Sequence, residues 1–97
     1  IVICTKGYPG SYKKNLKIRN ISKIKLSNKE FIYHAGTKFF KNELRSIGGR
    51  VFNITSIGSN FLKIRKNIIS IIKKINWKSG FYRKDIGWKI INKNENY

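Results

Sequence analysis

The sharpest chemical pattern in the chain is Gly48-Gly49-Arg50. Paired glycines let backbone N–H groups approach an anion closely, and a guanidinium at the start of a rigid strand can hold a phosphate through two parallel hydrogen bonds. From pattern alone a plainer reading outweighs this one: a glycine bend that only turns the chain and leaves Arg50 in solvent. A second cluster, Arg83-Lys84-Asp85, fits either a solvated charge run or a salt-bridged corner in which Asp85 orients Arg83. His34 is the single histidine and has no Cys or acidic cluster around it of the kind a metal site needs, so it reads first as a core or edge histidine with its hydrogen bonds met.

Independent catalysis is not expected. The four acids, Glu30, Glu43, Asp85 and Glu95, are far apart in sequence, and neither a Walker-type glycine loop nor paired carboxylates for Mg²⁺ are present. Nothing in the chain is expected to bind ATP or a metal unaided. The single cysteine, Cys4, allows no internal disulfide and no thiolate zinc site, which fits a reducing cytoplasm. In the apolar run Ile1-Val2-Ile3-Cys4 it reads as a small buried hydrophobe. No apolar stretch approaches the roughly 20 residues that span a bilayer, so membrane insertion is not expected.

The formal charge of +18, from 22 Lys and Arg against 4 acids, raises nucleic acid as a partner. Most of that charge is dispersed lysine, accompanied by heavy use of asparagine and isoleucine. These three residues share adenine- and thymine-rich codons, so base composition explains the profile without a polyanion. A basic nucleic-acid-binding module is therefore kept as the alternative reading. Lysine drifts cheaply onto solvated surface but does not replace a planar fork, which directs attention to Arg19, Arg45, Arg50, Arg65 and Arg83.

The elements that must position these groups are partly visible. Ile1 to Cys4 reads as a short strand closed by the tight loop Gly7-Tyr8-Pro9-Gly10-Ser11. Leu16 to Leu26 is irregular and reads as short extended pieces. Phe31 to Ala35 is a strand by propensity, closed by Gly36-Thr37, and Lys41 to Ser46 reads as a hairpin arm. Arg50 to Ile57 alternates as a strand and ends at Gly58. Ser59 or Asn60 caps a helix of about four turns, whose Phe61, Ile64, Ile68, Ile71, Ile72 and Ile75 recur at spacings of three and four. The expectation is one α+β domain over residues 1–91, a small, mostly antiparallel sheet or partial barrel with one main amphipathic helix, followed by a polar tail over 92–97. With Ile1 first and no methionine, the sequence reads as beginning inside a longer polypeptide.

Four strings stand in register around that helix: Gly7-Tyr8-Pro9-Gly10-Ser11-Tyr12, His34-Ala35-Gly36-Thr37, Gly48 to Thr55, and Tyr82-Arg83-Lys84-Asp85-Ile86-Gly87-Trp88. Together they resemble the C-terminal domain of the glycinamide ribonucleotide synthetase family, of the ATP-grasp superfamily, over nearly the whole chain. The resemblance implies a rudiment single hybrid motif fold that packs beside the N-terminal domain. It also implies a role in joining glycine to 5-phosphoribosylamine in de novo purine synthesis, with glycine activated as an acyl phosphate. ATP and Mg²⁺ or Mn²⁺ would be held by central domains that this chain lacks, so the fragment is expected to bind no cofactor and to be inactive alone. Related ATP-grasp enzymes place a glycine-arginine stretch against the substrate's 5′-phosphate. The resemblance thus favours Arg50, framed by Gly48 and Gly49, as the phosphate contact for 5-phosphoribosylamine or glycinamide ribonucleotide. Arg83, Lys84, Asp85, His34 and Tyr8 become candidate contacts to substrate or to the remaining domains. The family's acidic residues around the helix are replaced here by Lys63, Arg65 and Lys66.

Overall fold

A computed structural model describes residues 1–84. Seven strands and one α-helix follow in the order β1 (Val2–Thr5), β2 (Leu16–Ile18), β3 (Glu30–His34), β4 (Thr37–Phe40), β5 (Glu43–Ser46), β6 (Arg50–Ser56), α1 (Phe61–Ile75) and β7 (Gly80–Phe81). A single 3-10 turn, Ile21–Lys23, occupies part of the irregular stretch after β2. The strands form two antiparallel sheets, ordered β3-β6-β1-β7 and β2-β5-β4, with no closed barrel. The expected α+β class is what forms. The polar tail expected over 92–97 and the residues Asp85 to Trp88 lie outside the described residues.

β6 is the spine of the larger sheet because Val51, Phe52, Ile54 and Thr55 supply the β-branched and aromatic side chains that favour a half-buried pleated surface. Phe52 and Ile54 are fully buried and meet Ile3 of β1 and Ile68, Ile71 and Ile75 of α1 in one core cluster. Burying each of these large side chains is worth about 2 kcal/mol. The helix begins at Asn60, whose Oδ1 accepts the Lys63 N–H at 3.1 Å, and it ends at left-handed Asn76. Asn20 adds a distant tie, its Nδ2 donating to the Ile75 carbonyl at 3.0 Å. Phe61, expected on the core face, is instead 43% exposed; along the helix Ile64 is the first residue packed against the core and Ile68 the first buried one.

The strand missing from the sequence reading is β4. It pairs with β5 through a two-residue turn in which Lys41 and Asn42 both have positive φ, the geometry that matches strand twist in a tight hairpin. In the smaller sheet Glu43 pairs with Lys17 and Arg45, both at 2.8 Å, while Arg45 also donates to the Asn15 carbonyl at 2.9 Å.

The β3–β4 and β5–β6 connections, two of the four that pass between the sheets, cross each other closely. Gly36, between β3 and β4, accepts from Ile47 N–H at 2.8 Å and Gly48 N–H at 3.3 Å, and donates to the Arg50 carbonyl at 2.9 Å. A Cβ on Gly36 would lie 2.5 Å from that carbonyl oxygen and 2.9 Å from the Gly48 Cα, both backbone atoms. Gly36→Ala is therefore expected to cost about 2 kcal/mol, as overpacking against atoms that cannot swing aside does. For a domain of this size thermal unfolding should report a Tm lower by roughly 10 °C.

Hydrogen bonds from Lys17 and then Arg45 hold the Glu43 carboxyl below the usual carboxylate range. A carboxyl lowered on folding stabilises above its unfolded value of about 4.3 and loses that contribution as pH falls through the lowered folded value. Glu43→Gln should therefore flatten the acid limb of a stability-versus-pH curve measured by urea titration.

Candidate functional site

The Arg50 corner is built from three segments. β1 and β6 pair in register at Ile3↔Phe52, then slip by one residue so that Cys4 faces Arg50. This bulge re-aims the side chain at the end of β6, as bulges do. Thr5, fully buried, anchors the approach: its N–H donates to the Gly49 carbonyl at 2.7 Å and its Oγ1 to the Gly48 carbonyl at 3.0 Å. The third segment is the loop after β1, where Gly7 has φ of 100° and a Cβ would lie 2.1 Å from the Ser11 carbonyl oxygen. The Tyr8–Pro9 peptide in that loop is cis.

The loop lays the Tyr8 ring against Gly49. A Cβ on Gly49 would fall 1.9 Å from Tyr8 Cδ2, so only glycine admits the ring there. The same ring stands 5.8 Å from the Arg50 guanidinium carbon, within cation–π range. Arg50 itself is exposed while its backbone is held by Gly36. The outcome is a charged fork in solvent, limited in its motion by an aromatic plate. Burial pushes the neighbouring Cys4 thiol up, and the positive charge of Arg50 partly offsets that rise. Cys4 is half-exposed and not the buried hydrophobe that its apolar run indicates.

Gly48 N–H is directed to the Gly36 carbonyl, and Gly49 is buried beneath Tyr8. Tyr8, Gly48, Gly49 and Arg50 are thus brought together. His34 is placed elsewhere: its ring packs edge-on to Phe52 at 5.4 Å, its Nδ1 meets Thr37 Oγ1 at 3.0 Å, and it borders a groove with Arg19, Phe39 and Glu43. Lys84 is turned toward the helix, its carbonyl accepting from the Arg65 guanidinium. Arg83 is exposed beyond β7, which lies across β1 from Arg50, and Asp85 lies outside the described residues. Gly36 and Thr5, which fix the corner, were missed as site-building residues. Gly36 had a sequence signal in the His34-Ala35-Gly36-Thr37 string, whereas Thr5 had none.

Among the described residues no group of three His, Cys, Asp or Glu side chains comes together to hold a metal. Glu30 accepts from the Ser27 N–H at 2.9 Å and Glu43 is engaged by Lys17 and Arg45, so the described carboxylates form no Mg²⁺ pair. No described helix is long and apolar enough to cross a membrane.

Among the described residues this is a small α+β unit whose Arg50 guanidinium stands exposed beside the Tyr8 ring. The family is named by comparison: residues 1–89 match the model of the phosphoribosylglycinamide synthetase C domain, and the chain belongs to that family. It is 38% identical over 91 residues to a phosphoribosylamine–glycine ligase of Agrobacterium fabrum, covering 94% of this chain and 21% of that protein. It is 40% identical over 86 residues to the ligase of Caldanaerobacter subterraneus, covering 89% of this chain and 20% of that one. A crystal structure of phosphoribosylamine–glycine ligase from Thermotoga maritima superposes with a TM-score of 0.70 at 25% identity, over 88% of this chain and 20% of that chain. The chain spans about a fifth of the length of these two relatives.

Tyr8 and Gly49 should behave as one unit. Gly49→Ala alone should expel the ring and destabilise the domain, whereas in a Tyr8→Ala background the same change should cost far less. A double-mutant cycle by denaturant unfolding is expected to show a coupling of about 1 kcal/mol or more, and additive effects would contradict the packing described.

Proposed function

We propose that this chain is the substrate-facing C-terminal domain of a phosphoribosylamine–glycine ligase, working in the cytoplasm, and that Arg50 grips the 5′-phosphate of phosphoribosylamine and of the glycinamide ribonucleotide product. The supporting observation is the exposed guanidinium held by the start of β6 and by the Tyr8 ring at 5.8 Å. A fork already limited in its motion loses little freedom when it meets a phosphate, and its donors match two phosphate oxygens at once. In this reading Gly48 and Gly49 contribute by close packing: they let Tyr8 and the chain crossing come near enough to steady Arg50.

The remaining candidates take lesser parts. Tyr8 positions Arg50. The contact between Arg65 and the Lys84 carbonyl supports a bracing role for the segment carrying Arg83, Lys84 and Asp85, at the border with the rest of the ligase. His34 borders the groove on the other side of the sheet junction and stands as a candidate contact to a neighbouring domain. ATP and Mg²⁺ or Mn²⁺ are bound by other domains of the ligase, since the described carboxylates here are engaged with Ser27, Lys17 and Arg45. When bound there, the nucleotide and metal supply the phosphoryl group that activates glycine. This domain's part is to hold the ribonucleotide by its phosphate end while its amine meets the activated glycine.

In the complete ligase, Arg50→Ala should weaken glycinamide ribonucleotide binding by roughly 10- to 100-fold, the worth of a lost charge-assisted contact, with ATP affinity unchanged. Arg50→Lys should fall between, because an ammonium keeps the charge but not the fork. Isothermal titration with the product checks both, and an unchanged product affinity in Arg50→Ala would sink the assignment.

A further inference from the structure

Four of the arginines that the sequence singles out are engaged: Arg45 by Glu43, Arg50 by the Tyr8 ring, Arg65 by the Lys84 carbonyl, and Arg83 as well. Arg19 is the exception. It is exposed, it follows β2 directly, and among the described residues it has no hydrogen bond, ion pair or ring contact. Arg19 lines a groove of about 610 Å³ beside the β4–β5 turn. The register sets Ile18, Leu44 and Phe39 in one row across β2, β5 and β4, because Leu44 pairs with both of the others. Ile18 and Leu44 are buried, whereas Phe39 on the edge strand is 69% exposed. Its neighbour Phe40 has Lys41 over its ring at 5.5 Å, but Phe39 has no ring partner among the described residues.

The polar side chains of the groove divide into two sets. His34 bounds one end with its Nδ1 held by Thr37 Oγ1 at 3.0 Å, and Glu43 is engaged by Lys17 and Arg45. Ser22 and Asn42 line the groove too, and among the described residues neither side chain makes a hydrogen bond. An apolar floor with a few convergent polar groups is the make-up of a small-molecule site. The guanidinium fork selects an anion that it can meet with two parallel bonds. The open Phe39 ring selects a flat group to stack on it. A hydroxyl and an amide select sugar hydroxyls or the edge of a heterocycle. A nucleoside monophosphate carries all three parts. A continuous strand fits less well, because the Glu43 carboxylate on the same groove repels a second phosphate and Lys17, at 2.8 Å, is already engaged with it.

We propose that the groove between Arg19 and Phe39 binds a nucleoside monophosphate, with the base stacked on the Phe39 ring and the phosphate held by the Arg19 guanidinium. Tyr8, Gly48, Gly49 and Arg50 are not among the residues that line it. The site is therefore separate from the phosphate contact proposed for Arg50 and does not depend on that reading. Arginine rather than lysine at position 19 is the choice that such a contact requires, in a chain whose surface cations are mostly lysine.

Adenosine 5′-monophosphate is titrated into the 97-residue chain, where no nucleotide site elsewhere in a ligase can contribute, by isothermal calorimetry and amide NMR. Saturable binding is expected, with shifts centred on residues 17–22 and 39–44. Arg19→Gln should weaken it by about tenfold or more, with Arg19→Lys between. Phe39→Ser, at an exposed position, should weaken it by about fivefold or more through lost stacking, while Lys66→Gln on the helix should leave it unchanged. Adenosine and ribose 5-phosphate, each keeping one half of the probe, should each bind by roughly a factor of ten more weakly. No saturable binding up to about 5 mM overturns the proposal. So does binding that survives Arg19→Gln and is lost in Arg50→Ala, which would give the nucleotide to the Arg50 corner, and so does ribose 5-phosphate binding as tightly as the nucleotide. A single-stranded octanucleotide that binds far more tightly, with a salt dependence of several phosphates, overturns it in favour of a strand. A concentration-dependent dimer that Phe39→Ser abolishes, without nucleotide binding, overturns it in favour of a second copy. Binding in the groove together with unchanged product affinity for Arg50→Ala in the complete ligase keeps this site and removes the other.

Discussion

Everything in this domain passes through the point where two backbones cross at Gly36 and Gly48. The Gly36 carbonyl takes N–H groups from Ile47 and Gly48, and its own N–H goes to the Arg50 carbonyl. A side chain at Gly36 would run into backbone within 3 Å. Because that crossing is so close, the chain can leave the larger sheet after β3, form the β4–β5 hairpin, and return at β6 in a fixed register. The register then sets the inner and outer rows of β6, and with them both the core beneath α1 and the exposed end where Arg50 emerges. Thr5 reinforces the same point from β1 by holding the carbonyls of Gly48 and Gly49. The site is therefore a by-product of the topology: the residue that must be rigid is the first one after the crossing.

The distribution of charge separates what is solvated from what is used. Of the +18 total, the lysines among the described residues are spread over the smaller sheet, the loops and the helix surface. Two lysines, Lys73 and Lys74, lie in the last helical turn, where the macrodipole favours them. Against that background one arginine at a strand start and an aromatic ring 42 positions earlier in the chain form a local arrangement that diffuse lysine does not reproduce. Composition alone invites a polyanion; the placement of Arg50 fits the single-phosphate contact proposed above.

Much of the frame was legible in the sequence. β1 and β6 are short runs of β-branched and aromatic residues, and α1 follows from isoleucines at three- and four-residue spacing with an asparagine cap. The hairpin arm at β5 was visible as well. β4 was not, because Thr37-Lys38-Phe39-Phe40 shows no alternation and its turn, Lys41-Asn42, lacks the glycine that usually marks such a hairpin. Phe61 was placed in the core by its spacing, but periodicity says which side a residue faces and not whether anything lies opposite it. The Arg50 corner was half legible. Gly48-Gly49-Arg50 stands out locally, yet the packing of Gly36 on Gly48 and of Tyr8 on Gly49 joins residues distant in the chain, and only the fold brings them into contact. The same limit hid the role of Thr5.

The amide of Asn20 closes on the Ile75 carbonyl from 55 residues away. Asn20 stands just after β2, the edge of the smaller sheet, and Ile75 ends the helix that covers the larger one. Fraying of that last turn therefore strips a partner from the connector of the other lobe, and loosening of the connector uncaps the helix. Within the described residues this latch ties the melting of one lobe to the loosening of the other.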